Sequence, residues 1–248
     1  ILKLFDGETV TNKTGWYELK DARLQMKPYA NEPIEVVTAS MVSPSGPTAA
    51  GKFGTGLMSL SATAAPALNT AGTNWDIACE VAAEYGHKMH RNRWRMIGLV
   101  HVAETNEQAI QDVEFGLDEW TQYFEDVAVV PMVPKDRRND PLAHLIESGM
   151  AAVGTPDKVI EQIETLWTAS QGGFGSFLIT DHNWAPFDAK LKSYEMIARY
   201  VFPHFQNLNS QREASNKWVG SSQKDFKASS EKATQEKIDR YNEESKKK

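Results

Sequence analysis

The chain has 248 residues with a formal net charge of −6, and 41% of its residues are hydrophobic. This is enough apolar material for one large domain or two small ones, and the mild acidic excess argues against nucleic-acid binding. The single cysteine, Cys79, excludes an internal disulfide bond and a cysteine-based zinc site. No apolar run reaches the roughly 20 residues of a membrane span, and the first residues do not form a secretory signal. The sequence therefore predicts a globular protein of the cytoplasm, and its start at Ile1 indicates the later part of something longer.

From residue 32 onward, strand patterns alternate with helix patterns. Short apolar and β-branched runs predict four strands, at Ile34–Ala39, Gly56–Leu60, Trp94–Val102 and Ser176–Thr180. Apolar residues at helical spacing predict six helices. Four of them are Thr48–Lys52, Trp75–Tyr85, Leu142–Glu147 and Asp188–Tyr200, and Pro203 is predicted to end the last of these. The other two are a long helix that begins after Thr105 and a helix that begins at Pro156 with Thr155 as its N-cap. Residues 127–140 are too irregular for an element and are a candidate lid.

The last part of the chain, residues 207–248, differs in composition from the rest. It carries ten Lys and Arg residues against seven Asp and Glu residues, and its large apolar side chains are sparse. Such a segment buries too little surface to offset its chain entropy. We therefore predict a body over residues 1–206 and an extended polar C-terminal arm with a frayed helix over 207–248. Trp218 and Phe226 are candidate anchors of this arm on the body or on a partner subunit.

The alternation of strands and helices predicts an α/β fold with a parallel sheet covered by helices. Four strand–helix units are half of a (β/α)8 barrel, and a full barrel takes about 250 residues. An open half would leave two sheet edges unpaired, which promotes aggregation. Two interpretations stay open, a barrel whose N-terminal half is missing and a small open α/β sheet, and we favour the first.

Several segments resemble the luciferase-like flavin-dependent monooxygenases. The order and spacing of these segments, over residues 1–205, carry the resemblance more than any one of them does. Two of them, Ser40–Pro47 and Gly172–Leu178, look like the limonene and alkanal monooxygenase branch. The other segments resemble the bacterial luciferase α subunit and its relatives. These segments are Val36–Ser40 with Ala49–Gly54, Glu80–His87, Ala152–Asp157 and Val201–Pro203.

The resemblance implies a TIM barrel of the luciferase-like type, to which this chain supplies about strands five to eight and their helices. It implies an FMN- and O2-dependent monooxygenase of an apolar small molecule, such as a terpene or an aldehyde, with reduced FMN from a separate flavin reductase. The family's catalytic histidine and basic phosphate contacts belong to the N-terminal half, so that half or a partner chain is expected, in a dimer. Two alternatives are a deazaflavin-dependent oxidoreductase of the same superfamily and a non-catalytic barrel subunit beside an active chain.

The run Ser40–Pro47 is the strongest candidate site. It follows a strand and precedes a helix, so its three serine hydroxyls and the backbone of Gly46 can converge on an anion at a helix N-terminus. A turn that caps the helix without a ligand is the alternative interpretation. The resemblance implies that this loop binds reduced FMN, through Ala39, Ser40, Met41, Ser43, Ser45 and Gly46.

His182 is the candidate catalytic residue. It follows the last predicted strand, at the carboxyl end where barrel active sites lie, and can act as a proton donor beside the flavin. Trp184 and Ser59 are candidate residues of the substrate pocket. A loop whose polar side chains only satisfy backbone groups is the alternative interpretation. His101, inside the third strand, is predicted to be a hydrogen-bonded core residue, and no metal site is expected.

Overall fold

The computed structural model describes residues 1–26, 29, 34–128, 131–207 and 210–246. These residues fall into two compact units, Ile1–Ile197 and Ala198–Lys248. The first unit contains a parallel sheet and helices, which confirms the predicted α/β class. The boundary between a body and an arm at residues 206 and 207 stays a prediction.

The strands belong to two sheets. A small antiparallel pair, which has no counterpart among the predicted elements, precedes a larger parallel sheet. The strands of the described residues are β1 (Val10–Lys13), β2 (Glu18–Ala22), β3 (Val37–Ser40), β4 (Gly56–Ser59), β5 (Trp94–Val102), β6 (Ala151–Gly154) and β7 (Ser176–Ile179).

Strand β5 organises the parallel sheet because it pairs with three other strands. Its first residues, Trp94–Met96, pair with β4, and Arg95–Gly98 pair with β7. Its last residues, Leu99–Val102, pair with β6. On the far side of β4 lies β3, and among the described residues β3 pairs with β4 alone. The sheet is therefore open, which fits the prediction of a partial barrel.

Three of the predicted strands lie within one residue of their observed limits, and β3 begins at Val37 instead of Ile34. The fifth parallel strand, β6, corrects the prediction of four. No element was predicted for Ala151–Gly154, whose last residues were considered only as part of the segment before the helix that begins at Pro156. This short run contains a single β-branched residue, Val153, so its sequence pattern does not indicate a strand. It is a strand because it pairs with β5.

Within the first unit, helices pack against the sheet. The described helices are α1 (Leu2–Phe5), α2 (Ser45–Phe53), α3 (Ala65–Glu84), α4 (Asn106–Glu114), α5 (Leu117–Asp126), α6 (Pro141–Glu147), α7 (Pro156–Ala169), α8 (Phe187–Met196), α9 (Phe202–Gln206) and α10 (Ser210–Lys246). A π-helical turn, Ile197–Val201, follows α8. Residues 127–140 contain one short 3-10 turn, Lys135–Arg137, among the positions described there.

Several helix predictions were wrong in detail. The helix predicted to begin at Trp75 begins ten residues earlier, at Ala65. The long helix after Thr105 is broken at Gly116, where the backbone of Asn183 leaves no room for a side chain. Thr155 precedes α7 without a side-chain cap, and its N–H donates to Asn106 Oδ1 at 3.1 Å. Pro203 lies in the first turn of α9 instead of ending a helix, a position where the missing N–H of proline costs no hydrogen bond.

The helix side of the sheet is packed around two stacked indoles. The rings of Trp75, from α3, and Trp94, from β5, lie 4.8 Å apart at 17°. Trp94 is fully buried, and its Nε1–H donates to Ser59 Oγ at 3.0 Å. The Arg91 guanidinium lies 4.9 Å from the Trp75 ring centroid and donates to the carbonyl oxygens of Ser170 and Gly173. These contacts hold β4, β5 and the turn before β7 together, and so fix the strand ends.

The second unit consists mainly of the long helix α10. None of the described residues of α10 is buried, as expected for its polar composition. The exposed rings of Trp218 and Phe226 pack edge to face with their centroids 5.3 Å apart. Their suggested part in anchoring the chain stays a prediction.

Candidate functional site

The carboxyl ends of β3, β4 and β7, together with the middle of β5, line an apolar cavity of about 290 Å³. None of its lining side chains carries a charge, and their polar atoms are three hydroxyl groups. The lining of this apolar cavity is Met41, Leu60, Ser61, Thr63, Ile97, Gly98, Leu99, Phe124, Ala128, Met132, Met150 and Thr180. A neutral apolar molecule is the ligand that such a lining favours.

A second cavity of about 400 Å³ adjoins the apolar cavity and contains His182. We call it the His182 cavity. Its wall combines aromatic side chains of α5 with the polar segment that follows β7. The lining is Gly116, Glu119, Trp120, Tyr123, Phe124, Thr180, Asp181, His182 and Asn183. The two cavities share Phe124 and Thr180.

The imidazole of His182 is mostly buried against two indoles, which also lie against each other. Its ring centroid lies 4.1 Å from that of Trp184 and 5.7 Å from that of Trp120, edge to face in both cases. Apart from its own backbone, no described residue offers a hydrogen-bond partner to Nδ1 or Nε2. Burial disfavours the charged ring and lowers the pKa of His182 to about 4. Near neutral pH the ring is therefore uncharged, with one N–H to donate and one nitrogen to accept.

The depressed pKa of His182 makes stability depend on pH. In the unfolded chain the pKa is near 6.5, so the unfolded state takes up a proton at a higher pH than the folded state. The stability present above about pH 6.5 is therefore lost as the pH falls toward 4, by about 2 kcal/mol between pH 7 and pH 4.5. Urea unfolding at both pH values measures the loss. The His182→Phe variant, which cannot titrate, should lose about 2 kcal/mol less; equal losses would contradict the prediction.

Helix α8 holds the segment that carries His182. Lys190 Nζ lies 3.0 Å from Asp181 Oδ1, and this hydrogen bond is the main reason why the pKa of Asp181 is lowered. Tyr194, one helical turn further, also bonds to Asp181, and burial together with this bond raises its pKa to about 12. On the other side, Gly116 N–H donates to Trp184 O at 2.9 Å. His182 thus lies between two anchored neighbours.

The predicted phosphate loop brings an unpaired buried hydroxyl to the start of α2. Ser40, the last residue of β3, is 5% exposed, and its Oγ has no hydrogen-bond partner among the described residues. The hydroxyls of Ser43 and Ser45 lie 2.7 Å apart. Helix α2 begins at Ser45, three residues earlier than predicted. The first helical N–H groups, of Ser45 and Gly46, have no acceptor within the helix.

Gly46 allows α2 to begin directly against the end of β3. A Cβ atom on Gly46 would lie 2.6 Å from Ala39 O and 2.7 Å from Ser40 Cβ. These are closer than real Cβ contacts, so the absence of a side chain sets the distance between helix and strand. Ala39 therefore contributes packing against the turn, while Met41 is 42% exposed and lines the apolar cavity.

The two predicted pocket residues lie behind the cavities. Ser59 is buried and accepts the hydrogen bond from Trp94, and Trp184 is 2% exposed within the core under α4, α5 and α6. Neither lines a cavity described above. Ser59 supports β4 and Trp184 packs against His182, and the part of these two residues in a substrate pocket stays a prediction.

Aromatic residues of α5 line the site although the sequence reasoning missed them. Trp120, Tyr123 and Phe124 recur at helical spacing, and such a pattern is equally typical of a helix packed on a core, so it does not mark them as site residues. His101 is 1% exposed, and its Nε2 lies 3.0 Å from Asp112 Oδ2, which confirms the predicted hydrogen-bonded core residue.

Two features are absent from the part of the chain that the structure describes. It contains no cluster of three or more His, Cys, Asp or Glu side chains placed to hold a metal ion. None of its helices combines the length and the apolar character needed to cross a membrane.

The sequence matches the family model of the luciferase-like monooxygenases over residues 1–172. The chain belongs to this family. Limonene 1,2-monooxygenase of Rhodococcus erythropolis is 40% identical over 234 aligned residues, which cover 87% of this chain and 58% of that enzyme. The motif-based assignment to the luciferase-like family is thereby confirmed. The chain spans less than two thirds of this relative's length.

Solved structures of related proteins share the fold. The oxygenating constituent of 3,6-diketocamphane monooxygenase from Pseudomonas putida, in complex with FMN, is 21% identical and aligns with a TM-score of 0.58 over 81% of this chain and 59% of that one. An F420-dependent secondary alcohol dehydrogenase in complex with an F420–acetone adduct is 20% identical, with a TM-score of 0.54 over 80% of this chain and 57% of that one. At these identities the likeness shows the luciferase-like α/β fold.

Proposed function

We propose that this chain is the C-terminal part of an FMN- and O2-dependent monooxygenase that acts on an apolar small molecule, such as a terpene or an aldehyde. One observation carries the proposal: an unpaired buried hydroxyl, Ser40 Oγ, lies at the start of α2 beside an uncharged apolar cavity. The 40% identity to a limonene monooxygenase supports the substrate class. In the same proposal, the protein is a cytoplasmic dimer and receives reduced FMN from a separate reductase.

The residues around the start of α2 fit the phosphate of FMN. Ser40 Oγ is a buried group without a partner, and such a group gains stability when a ligand oxygen pairs with it. Ser43 and Ser45 add hydroxyl groups, and the free N–H groups of the first turn favour an anion. Gly46 keeps this turn close to Ser40. These four residues are the proposed phosphate contacts, with Met41 beside the ring.

Bound reduced FMN supplies the electrons that activate O2, and the chain supplies binding, orientation and exclusion of water. The apolar cavity takes the substrate out of water by burying its hydrocarbon surface. His182, packed against Trp120 and Trp184, presents an uncharged imidazole that can donate a hydrogen bond from one ring nitrogen and accept a proton at the other.

The open sheet supports the proposal that further strands complete the site. Among the described residues β3 pairs with β4 alone and β7 with β5 alone, so each presents an unpaired backbone edge. In the proposed barrel these edges pair with the strands that this chain does not contain, from the rest of the protein or from a partner. Catalytic groups on those strands would then face the apolar cavity.

The proposed function predicts that the chain binds FMN and that it turns over substrate only when the missing strands are supplied. The 248-residue chain should bind FMN in a fluorescence titration, and Ser40→Ala, which removes the unpaired hydroxyl, should bind it less tightly without loss of stability. Oxygenated product from limonene or decanal, detected by mass spectrometry under ¹⁸O2, is expected when reduced FMN is present together with the part of the Rhodococcus enzyme that the match leaves uncovered.

The same experiments distinguish the alternatives. The chain alone should give no product, and product from it would contradict the need for further strands. Binding of F420 in place of FMN would favour the deazaflavin-dependent oxidoreductase. An obligate heterodimer with a distinct catalytic chain, seen in native mass spectrometry, would favour the non-catalytic subunit. The proposed function would be contradicted if the chain did not bind FMN and if no product formed either with the chain alone or with the chain and the added part of the Rhodococcus enzyme.

A further inference from the structure

Two residues, one of them an aromatic residue of α5, form the shared boundary of the apolar cavity and the His182 cavity. Phe124 and Thr180 are the two residues that line both cavities. The N–H of Thr180 donates to Gly98 O at 3.1 Å, so its backbone is fixed to β5. The ring of Phe124 is the larger of the two shared side chains, so its substitution opens the boundary furthest.

The Phe124 ring is fixed by its neighbours on α5. Its centroid lies 4.8 Å from that of Trp120, and Tyr123 packs against it edge to face at 5.4 Å. The side chain is partly buried against the core cluster that includes Leu117 and Trp184. A ring with these contacts cannot turn aside without losing them, so it acts as a wall and not as a mobile gate.

The cavities on the two sides of this wall differ in size and in chemistry. The apolar cavity, at about 290 Å³, lies at the lower end of the range of about 300–1,000 Å³ for ligand pockets. The His182 cavity adds about 400 Å³ and is lined on one side by aromatic rings. Joined, the two would lie well inside that range and would accept an extended molecule as well as a compact one.

We propose that Phe124 is a specificity-determining residue, whose ring confines the substrate to the apolar cavity and thereby selects compact apolar molecules over long-chain ones. This inference rests on the proposed function for its substrate, although the boundary itself is a property of the cavities. When the ring is removed, the chain of a longer molecule enters the His182 cavity. Each further buried methylene group then raises affinity roughly fourfold.

The experiment is a binding series that needs neither flavin nor turnover. Isothermal titration calorimetry of straight-chain primary alcohols with the full 248-residue chain gives affinity as a function of chain length. For the wild type, affinity should rise with length and then level off once the apolar cavity is full. For Phe124→Ala, the rise should continue to longer alcohols, with a gain of at least about fourfold per methylene over the first steps beyond the wild-type plateau.

Met132→Ala is the matched control. Met132 lines the apolar cavity but not the His182 cavity, so its truncation enlarges the first without opening it into the second. The plateau should move only slightly. Phe124→Leu, which keeps an apolar side chain on α5, should give an intermediate profile and replaces Phe124→Ala if that variant does not fold by circular dichroism.

Three outcomes would overturn the inference. They are a wild-type plateau that Phe124→Ala or Phe124→Leu does not extend, the same extension in Met132→Ala, and no binding of any alcohol to the wild type. These are distinct from failure of the proposed function. Absence of turnover in the complemented assay together with an extended binding profile would refute the monooxygenase and leave the boundary standing. Turnover in that assay with an unchanged profile would support the monooxygenase and refute the boundary.

Discussion

Replacing His182 with phenylalanine is expected to lower the rate of substrate oxygenation by a factor of about 10² to 10⁴, the usual contribution of a general acid or base. Phenylalanine preserves the aromatic contacts with Trp120 and Trp184 but removes both ring nitrogens. The measurement is kcat and KM for limonene or decanal in the complemented, FMN-supplied assay. Because the apolar cavity that holds the substrate is unchanged, kcat should fall while KM stays nearly constant.

His182→Gln is the matched comparison because glutamine keeps an N–H donor but does not exchange a proton near neutral pH. If His182 donates a hydrogen bond, glutamine should restore much of the rate; if it transfers a proton, glutamine should restore little. Neither role makes the rate depend on pH near neutrality. With a pKa of about 4, His182 contributes no titration step to the rate between about pH 5 and pH 8. Wild-type kcat in His182→Phe would remove the residue from the mechanism.

The elements that could be predicted from the sequence are those whose own residues carry the pattern. Strand β5 is predicted in full because Trp94–Val102 is a long apolar run, and α3 ends as predicted, just before Gly86, whose φ is +74°. These features depend on local composition and on a glycine that adopts a left-handed conformation without strain. The α/β class follows because such elements alternate along the chain.

The features that the sequence could not give depend on contacts between distant segments. The break at Gly116 exists because the backbone around Asn183 lies against it, and nothing near residue 116 reports that approach. Strand β6 exists because β5 offers an edge to Ala151–Gly154. Short apolar runs do not reveal whether such an edge is available.

In the candidate site, too, some features follow from the local sequence and others depend on contacts between distant segments. The position of His182 at a strand end follows from the pattern, but its low pKa comes from burial against Trp120, a residue of α5 far away in sequence. Trp184 was expected to face the substrate because it follows His182, yet it points into the core. Neighbouring residues of a loop can face opposite sides, and only packing decides which one lines a cavity.

The substitution Gly46→Ala is expected to destabilise the protein by about 2 to 3 kcal/mol, the cost of overpacking a site that has no room. The added Cβ would lie 2.6 to 2.8 Å from Ala39 O and from the Cα and Cβ atoms of Ser40. Two of these atoms are backbone, so no side-chain rotation relieves the contact, and α2 must move away from β3. The free energy of unfolding in urea measures the effect.

Gly220→Ala is the control for the general effect of replacing glycine by alanine in a helix. A Cβ on Gly220 has open space within 4 Å on the exposed helix α10, so alanine should stabilise that helix by up to about 1 kcal/mol. Opposite signs in the two variants would locate the cost of Gly46→Ala in the contact with β3. The same displacement of α2 would carry Ser43 and Ser45 away from Ser40, so Gly46→Ala should also weaken FMN binding. Loss of stability with unchanged FMN affinity would place the phosphate elsewhere in the protein.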